Sequence, residues 1–383
     1  MELASLARRR DPAFATVTRA ACLDAARAFY EARRNEIRTR HEQGASGADT
    51  VSDLTATADA LLIGVFNFGL YQVKNRRALV QRVSLCAQGG YGRAQLNPYS
   101  DLDIGLVYEG KSIPAADLEA LNAYMVPFLW DIGYKISYVS REVREAVALA
   151  RKDTKVLTSY LECRLLYGGS ASFARLRMAI RDLAPAAKSV RFAQMKLRER
   201  SDSLPEEFRD LYAAEPNVKE GAGGLRDYHV GLWLLTVAFG VTNLDEAVSQ
   251  QMLTQEERLE LDDALDFIWR VRNELHFHAG KADDRLTFAN QRHVAKAFGY
   301  HEDATAAATR FMEDYYGAAR KLRRFLQKAA RAGKFDDSHR LLDSPPRHLP
   351  DFTVEDGELY AGMTDAQWFE ENTPRHMAVF WEC

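Results

Sequence analysis

Cysteine is scarce in this chain. Only Cys22, Cys86, Cys163 and Cys383 occur in 383 residues, and no two have the spacing of a CxxC or a zinc ligand pair. That excludes a disulfide-stapled secreted fold and a zinc ribbon, and the thiols read as small buried groups in a reducing cytosol. Long hydrophobic runs are missing too. The most apolar stretch, around residues 60–70, is far shorter than the roughly 20 residues a membrane-spanning helix needs. At the start, Met1-Glu2-Leu3 runs into Arg8-Arg9-Arg10 without the apolar segment of a signal peptide. These absences predict a cytoplasmic protein that engages no membrane. Nor is there an excess of positive charge. A net charge of −3 argues against a nucleic-acid partner held by bulk electrostatics, and the arginine run reads as solvated charge at a helix start. Short-period repeats and low-complexity tracts are absent. What remains is an ordinary globular composition, 47% hydrophobic and 27% charged, long enough for two or three domains.

The stretch Val83–Tyr108 organises the rest. It reads as a buried strand, a glycine-rich turn (Gly89, Gly90, Gly92), a short polar segment, and a second strand opening with Asp101 and Asp103. Side chains two apart on a strand share a face, so these carboxylates repel each other unless a cation sits between them. Hard cations, Mg²⁺ with Mn²⁺ as the alternative, take such oxygen ligands together with substrate phosphates. Glycines leave backbone N–H groups open to an anion, and Arg93 adds a forked cation. A phosphate cradle beside metal carboxylates points to nucleotidyl transfer. The competing readings are plain: surface charge for Asp-x-Asp, and a ligand-free turn for Gly-Gly-x-Gly, which fits neither the P-loop nor the dinucleotide fingerprint. Ser100 either hydrogen-bonds a phosphate or caps the turn.

Two later segments carry further candidates. Lys219-Glu220-Gly221-Ala222-Gly223-Gly224-Leu225-Arg226-Asp227 is a glycine loop opening a helix. There, free N–H groups with Lys219 and Arg226 would suit an anion, whereas pairing of Arg226 and Asp227 would make it a structural turn. Residues 273–284 gather His276, His278, Asp283 and Asp284. Histidines two apart do not share a helix face, which favours core or interlobe packing over a metal pair. Tyr315, Tyr316, Phe267 and Trp269 read as core.

Together, Gly-Gly-Tyr-Gly-Arg at 89–93, Pro98 and Ser100-Asp101-Leu102-Asp103 resemble the nucleotidyltransferase signature of the DNA polymerase β superfamily. Within it, the chain is similar to the bacterial uridylyltransferase/uridylyl-removing enzymes that modify the nitrogen-regulatory protein PII. The segments Pro216–Asp227, Arg272-Asn273-Glu274-Leu275-His276-Phe277, Asp284-Arg285-Leu286 and Phe311–Tyr316 follow in that family's order, over roughly residues 50–380. The resemblance implies UTP as donor, a tyrosine of a PII-like protein as acceptor, and Asp101 and Asp103 as catalytic metal ligands. Gly89, Gly90, Arg93, Ser100, Lys219 and Arg226 would bind the nucleotide. It also implies a third carboxylate on a neighbouring strand. Here Ser137-Tyr138-Val139 stands where the family has Gly-His-Ser, with Glu142, Asp153 and Glu162 as nearby substitutes. The His-Asp signature of the family's phosphohydrolase domain does not occur in these residues. The chain is therefore expected to attach a nucleotide without removing it. The alternatives are adenylyl transfer to another acceptor, or a catalytically reduced nucleotide-binding sensor.

Hydrophobic periodicity predicts the α+β class, a small mixed β-sheet flanked by helices and followed by an all-helical domain, and the resemblance implies that the sheet is a nucleotidyltransferase core. The expected divisions are an N-terminal helix and loop (1–50), a nucleotidyltransferase domain (51–169), a helical domain (170–335), and a C-terminal linker and hairpin (336–383) ending before any phosphohydrolase domain. Strands are expected at 83–88, 103–108, 134–139 and 165–168, with helices on one side of the sheet.

Overall fold

The computed structural model describes residues 18–333 except 72, 111–112, 184–185 and 302, together with 335, 352–355 and 358–361. The arginine run at 8–10 and the turn at Asp356-Gly357 lie outside the described residues. The chain begins with two long helices, α1 (Arg19–Glu42) and α2 (Gly47–Tyr71), and a short α3 (Arg76–Arg82) that periodicity did not reveal. Strand β1 (Val83–Gln88) leads into a single helical turn, α4 (Gly89–Gly92), and then β2 (Leu102–Tyr108). Next come α5 (Ala115–Ile132), β3 (Ile136–Glu142), α6 (Val143–Ala150), α7 (Thr154–Leu161) and β4 (Arg164–Gly168). From there the chain is helical: α8 (Ser170–Arg181), α9 (Ala186–Asp202), α10 (Leu225–Phe239), α11 (Leu244–Ser249), α12 (Gln255–Ala279), α13 (Phe288–Ala297) and α14 (Ala304–Ala332). A hairpin, β5 (Phe352–Glu355) and β6 (Glu358–Ala361), stands where the Asp-Gly turn predicts one.

The sheet order is β3-β2-β1-β4, with β1 antiparallel to both β2 and β4 and β2 parallel to β3. This is the expected α+β class. Two details differ from expectation. The third strand starts two residues later than its alternation suggested, and helices cover both faces of the sheet. Leu85, Ala87, Ile104 and Leu106 join one core with α2 and α5, while Cys86 and Val107 join a second core with α6 and α8. Period-2 alternation sends successive side chains to opposite faces, so a central strand such as β1, buried at every position, is covered twice.

That second core continues into the helical half through α10, α12 and α14. Buried residues on α14 (Phe311, Tyr315, Ala319, Leu322, Leu326, Ala330) recur every three or four positions, the stripe that buries one face of a helix. Tyr315 is core, as expected, whereas Tyr316, Phe267 and Trp269 are partly buried and pack against that core. By length and composition α2 is apolar enough to cross a membrane, but 67% of its most apolar window is buried inside the fold. Its N-terminus abuts α12, where Asp266 Oδ1 accepts from Ala48 N–H at 2.8 Å. The helical half is thereby held against the sheet-bearing half, and a cleft lies between them.

Candidate active site

The cleft is a cavity of about 780 Å³. Its floor is the β1–α4–β2 unit. Gln88 pairs across the strands with Asp103, so their side chains emerge side by side at the end of the sheet. Asp101 precedes β2 rather than opening it, so the same-face argument from strand alternation applies only to Asp103; both aspartates nevertheless line the cavity. The chain then reverses through α4, and the reason it needs glycine is local. Gly89 has φ +54°, and a Cβ there would overlap Asp103 Oδ2. Gly92 packs so closely on the main chain of Glu162 that a Cβ would overlap its carbonyl oxygen. At Gly90 a Cβ would lie 3.6 Å from Arg93 Nη2, which is ordinary contact. Gly89 and Gly90 open the helical turn, where N–H groups have no carbonyl one turn back to bond.

Arg93 is held by two acceptors. Its Nε donates to Gln95 Oε1 at 3.0 Å and its Nη1 to Glu162 Oε1 at 2.6 Å, while Trp233 Nε1 also donates to Glu162. Gln95 Oε1 further accepts from His229 Nε2 at 3.1 Å. Ser100 accepts from Asn97 N–H at 3.3 Å, so it caps the turn, and it also lines the cavity. Lys219 and Arg226 reach the same space from the helical half. All eight residues singled out in the sequence therefore meet in one cavity, although more than a hundred residues separate Gly89 from Arg226.

The glycine loop before α10 differs from its expected role. Its N–H groups are not open to an anion: Leu225 donates to Val218 C=O at 3.1 Å, Arg226 to Lys219 C=O at 2.8 Å, and Gly223 to Asp227 Oδ2 at 2.8 Å. Asp227 is wholly buried and also accepts from Arg200 Nε at 2.6 Å. That loop is a structural turn, and Lys219 and Arg226 line the cleft together with Glu220 and Leu225. Arg226 itself forms a two-pronged pair with Glu220, at 3.0 and 2.7 Å.

The electrostatics favour an anion. Burial pushes the Lys219 ammonium below its usual pKa, and the neighbouring Arg272 adds to the cost of its charge. The His229 ring is held neutral, well below the ordinary histidine value, by burial and then by Arg93, Arg226, Arg272 and Lys219 around it. Asp103 moves the other way. Burial first and the Asp101 charge second raise its carboxyl pKa, with a Ser137 hydrogen bond and the cations Arg93 and Lys219 opposing. Asp103, whose carboxyl resists ionising beside Asp101, and the cations around the pair form a set suited to a divalent cation carrying phosphates. The Nε2 amide of Gln88, buried at the same wall, has no partner among the described residues, a further donor facing this space. Asp101 and Asp103 fit a hard cation in chemistry, although no cluster of three or more His, Cys, Asp or Glu ligands occurs among the described residues.

The third carboxylate is absent from the strand where the resemblance placed it. Ser137 pairs with Asp103 across β2 and β3, and the cavity-lining positions of β3 are Ser137, Val139 and Arg141. Of the substitutes, Asp153 caps α7 through Lys155 N–H at 2.7 Å, and Glu142 lies outside the cavity lining. Glu162 lines it but is committed to Arg93 and Trp233. Sequence reasoning missed Gln95, Arg141, His229, Arg272 and Asp284 as cavity residues. The similarity of the segments at 272–277 and 284–286 to the family's ordered motifs was the signal for Arg272 and Asp284; Gln95, Arg141 and His229 carried none. His276 and His278 do not converge: His276 contacts Pro98 C=O and Asp284, while His278 stacks on His293 with ring centres 3.6 Å apart.

Residues 191–330 match the family model described as GlnD PII-uridylyltransferase. Over 286 residues, 74% of this chain, the sequence is 35% identical to a bifunctional uridylyltransferase/uridylyl-removing enzyme of Caulobacter vibrioides. Similar proteins of the same description occur in Phenylobacterium zucineum, at 34% over 72% of the chain, and in Rhodospirillum rubrum, at 31% over 74%. Each match spans 30% of the relative's own length.

Proposed function

Starting from a chain that is kin, over 74% of its residues, to bifunctional uridylyltransferase/uridylyl-removing enzymes, we propose that it is a metal-dependent nucleotidyltransferase that moves UMP from UTP to a tyrosine hydroxyl of a PII-like protein. The observation that carries this reading is the convergence of Asp101, Asp103, Gly89, Gly90, Arg93, Ser100, Lys219 and Arg226 on one cavity of about 780 Å³. In the reaction the acceptor oxygen bonds the α-phosphorus, the bond to the bridging oxygen breaks, and pyrophosphate leaves. When bound, Mg²⁺ neutralises charge on the phosphates and on the oxygens that enter and leave. Asp101 and Asp103 hold that cation. Arg93, kept rigid by Gln95 and Glu162, faces the β- and γ-phosphates with the first N–H groups of α4. Lys219 and Arg226 close the cavity from the helical side and exclude water.

The test is to mix the protein with each α-labelled nucleoside triphosphate, Mg²⁺ and PII. Label on PII from UTP supports the proposal, and label from ATP alone reassigns the donor. A second reading rests on β3, whose cavity face carries Ser137, Val139 and Arg141 and no acid. On that reading the site binds the nucleotide as a sensor, and the same experiment gives tight binding without transfer.

A further inference from the structure

Of the two metal carboxylates, Asp103 is held by the sheet, paired with Gln88 and Ser137, whereas Asp101 sits at the end of a loop outside it. Residues 93–100 join α4 to Asp101, and Tyr99 in that loop has φ +60°, a conformation that costs a non-glycine residue free energy and persists only when its surroundings impose it. Its surroundings come from α1, where the Arg34 guanidinium lies 3.9 Å from the centre of the Tyr99 ring, and from α12, which grips the two residues before it. Arg272 Nη1 donates to Asn97 Oδ1 at 2.6 Å, and Asn97 Nδ2 donates to Asn273 Oδ1 at 2.6 Å. His276 Nδ1 donates to Pro98 C=O. Arg272 and His276 are gripped from behind by one residue, Asp284. Its carboxylate accepts from Arg272 Nε at 2.7 Å and from His276 Nε2 at 3.0 Å. The Asp284 carbonyl also accepts from Val218 N–H at 2.8 Å, immediately before Lys219.

We propose that Asp284 is a positioning residue for the metal site, acting through Arg272 and His276 to fix the loop 97–100 and hence the placement of Asp101 against Asp103. The proposal rests on the nucleotidyltransferase reading above and adds a role for the helical half beyond covering the cleft. Asn97, Arg272, Asn273 and His276 are all buried, so the loop is gripped away from water, where hydrogen bonds are electrostatically stronger. Removing the Asp284 carboxylate leaves the Arg272 guanidinium without its counter-charge and takes a partner from His276. Removing the Asn97 amide detaches only the loop. In either case Tyr99 is free to leave its strained conformation, and Asp101, two residues later, moves relative to Asp103, which the sheet holds. A displacement of about 1 Å in a metal or substrate site is enough to cost ~100-fold in rate.

The test uses the whole chain with Mn²⁺ as probe, its binding followed by electron paramagnetic resonance in the presence of a non-transferable UTP analogue. Asp284→Asn and Asn97→Ala are compared with wild type and with Asp103→Asn, with thermal melts confirming cooperative folding. The expected result is Mn²⁺ affinity and kcat both reduced roughly 10–100-fold, the range for lost outer-shell partners, with KM for UTP changed much less. Asp284→Glu, which keeps a carboxylate, recovers part of the loss. If Asn97→Ala and Asp284→Asn bind Mn²⁺ as wild type does while only their melting temperatures fall, Asp284 is merely structural and the proposal is overturned. If wild type binds Mn²⁺ no better than Asp103→Asn, the metal site itself is wrong and the nucleotidyltransferase reading falls with it.

Discussion

Asp103 is where stability and proposed function oppose each other. Burial and the neighbouring Asp101 raise its carboxyl pKa, so the folded chain binds that proton more tightly than the unfolded chain does. Once pH rises past the folded value, ionising Asp103 costs stability. Asp103→Asn is therefore expected to raise the cation-free melting midpoint, by roughly 1–3 °C for a chain of this size. It should also lower transfer at least as far as the roughly 10–100-fold that a lost outer-shell partner costs. A melt and a turnover assay on one preparation check both, and normal turnover would remove Asp103 from the metal site. The glycines divide in the same way. Gly89→Ala should displace the Asp103 carboxylate, since its Cβ and the positive φ are both disallowed, whereas Gly90→Ala should retain most activity. Equal loss in the two variants would contradict the cradle geometry. At this scale the sequence was informative where one residue type can do one job: the lone Asp-x-Asp and the glycine at a reversal. It was silent on Gln95, Arg141 and His229, whose roles come from neighbours remote in the chain.

Among the elements, the helical half is pinned by buried ion pairs that periodicity could not reveal. Asp227 on α10 meets Arg200 of α9 at 2.6 Å and Arg323 of α14 at 3.3 Å. Both arginines and the Gly223 N–H hold its carboxyl below the usual range despite complete burial. The Asp284 carboxyl is likewise depressed by His276 and Arg272, and that of Glu274 by His41 and His293. Lowered folded pKa values contribute stability that is present above the unfolded value of about 3.9–4.3 and is lost as pH falls through the folded values. Melts from pH 7 down to 3 should thus show stability flat at first and then falling steeply below about pH 4. Asp227→Asn should cost about 3–5 kcal/mol at neutral pH, because it leaves Arg200 buried and unpaired, and should flatten the acid limb. A variant as stable as wild type would show that the pair is dispensable. Element positions were legible wherever the apolar stripe was long, as on α10, α12 and α14. The start of β3 was not, because an edge strand that is half-buried throughout carries little alternation.

For the whole molecule, the decisive fact is that a chain with net charge −3 builds a cleft lined by more cations than carboxylates. Composition reports the sum and conceals the arrangement; only folding two halves together puts Lys219, Arg226 and Arg272 opposite Arg93 and the aspartates. The sheet-plus-helices class was readable from order and periodicity, but its double covering by helices was not, since a short apolar strand looks the same with one face buried or two. The measurement that bears most directly on the central claim is the intact mass of PII after incubation with this protein, UTP and Mg²⁺. The account predicts a gain of one uridylyl group per modified subunit, abolished by chelating the metal and by Asp103→Asn. An unchanged mass with the wild-type chain, or the same gain with Asp103→Asn, would contradict it.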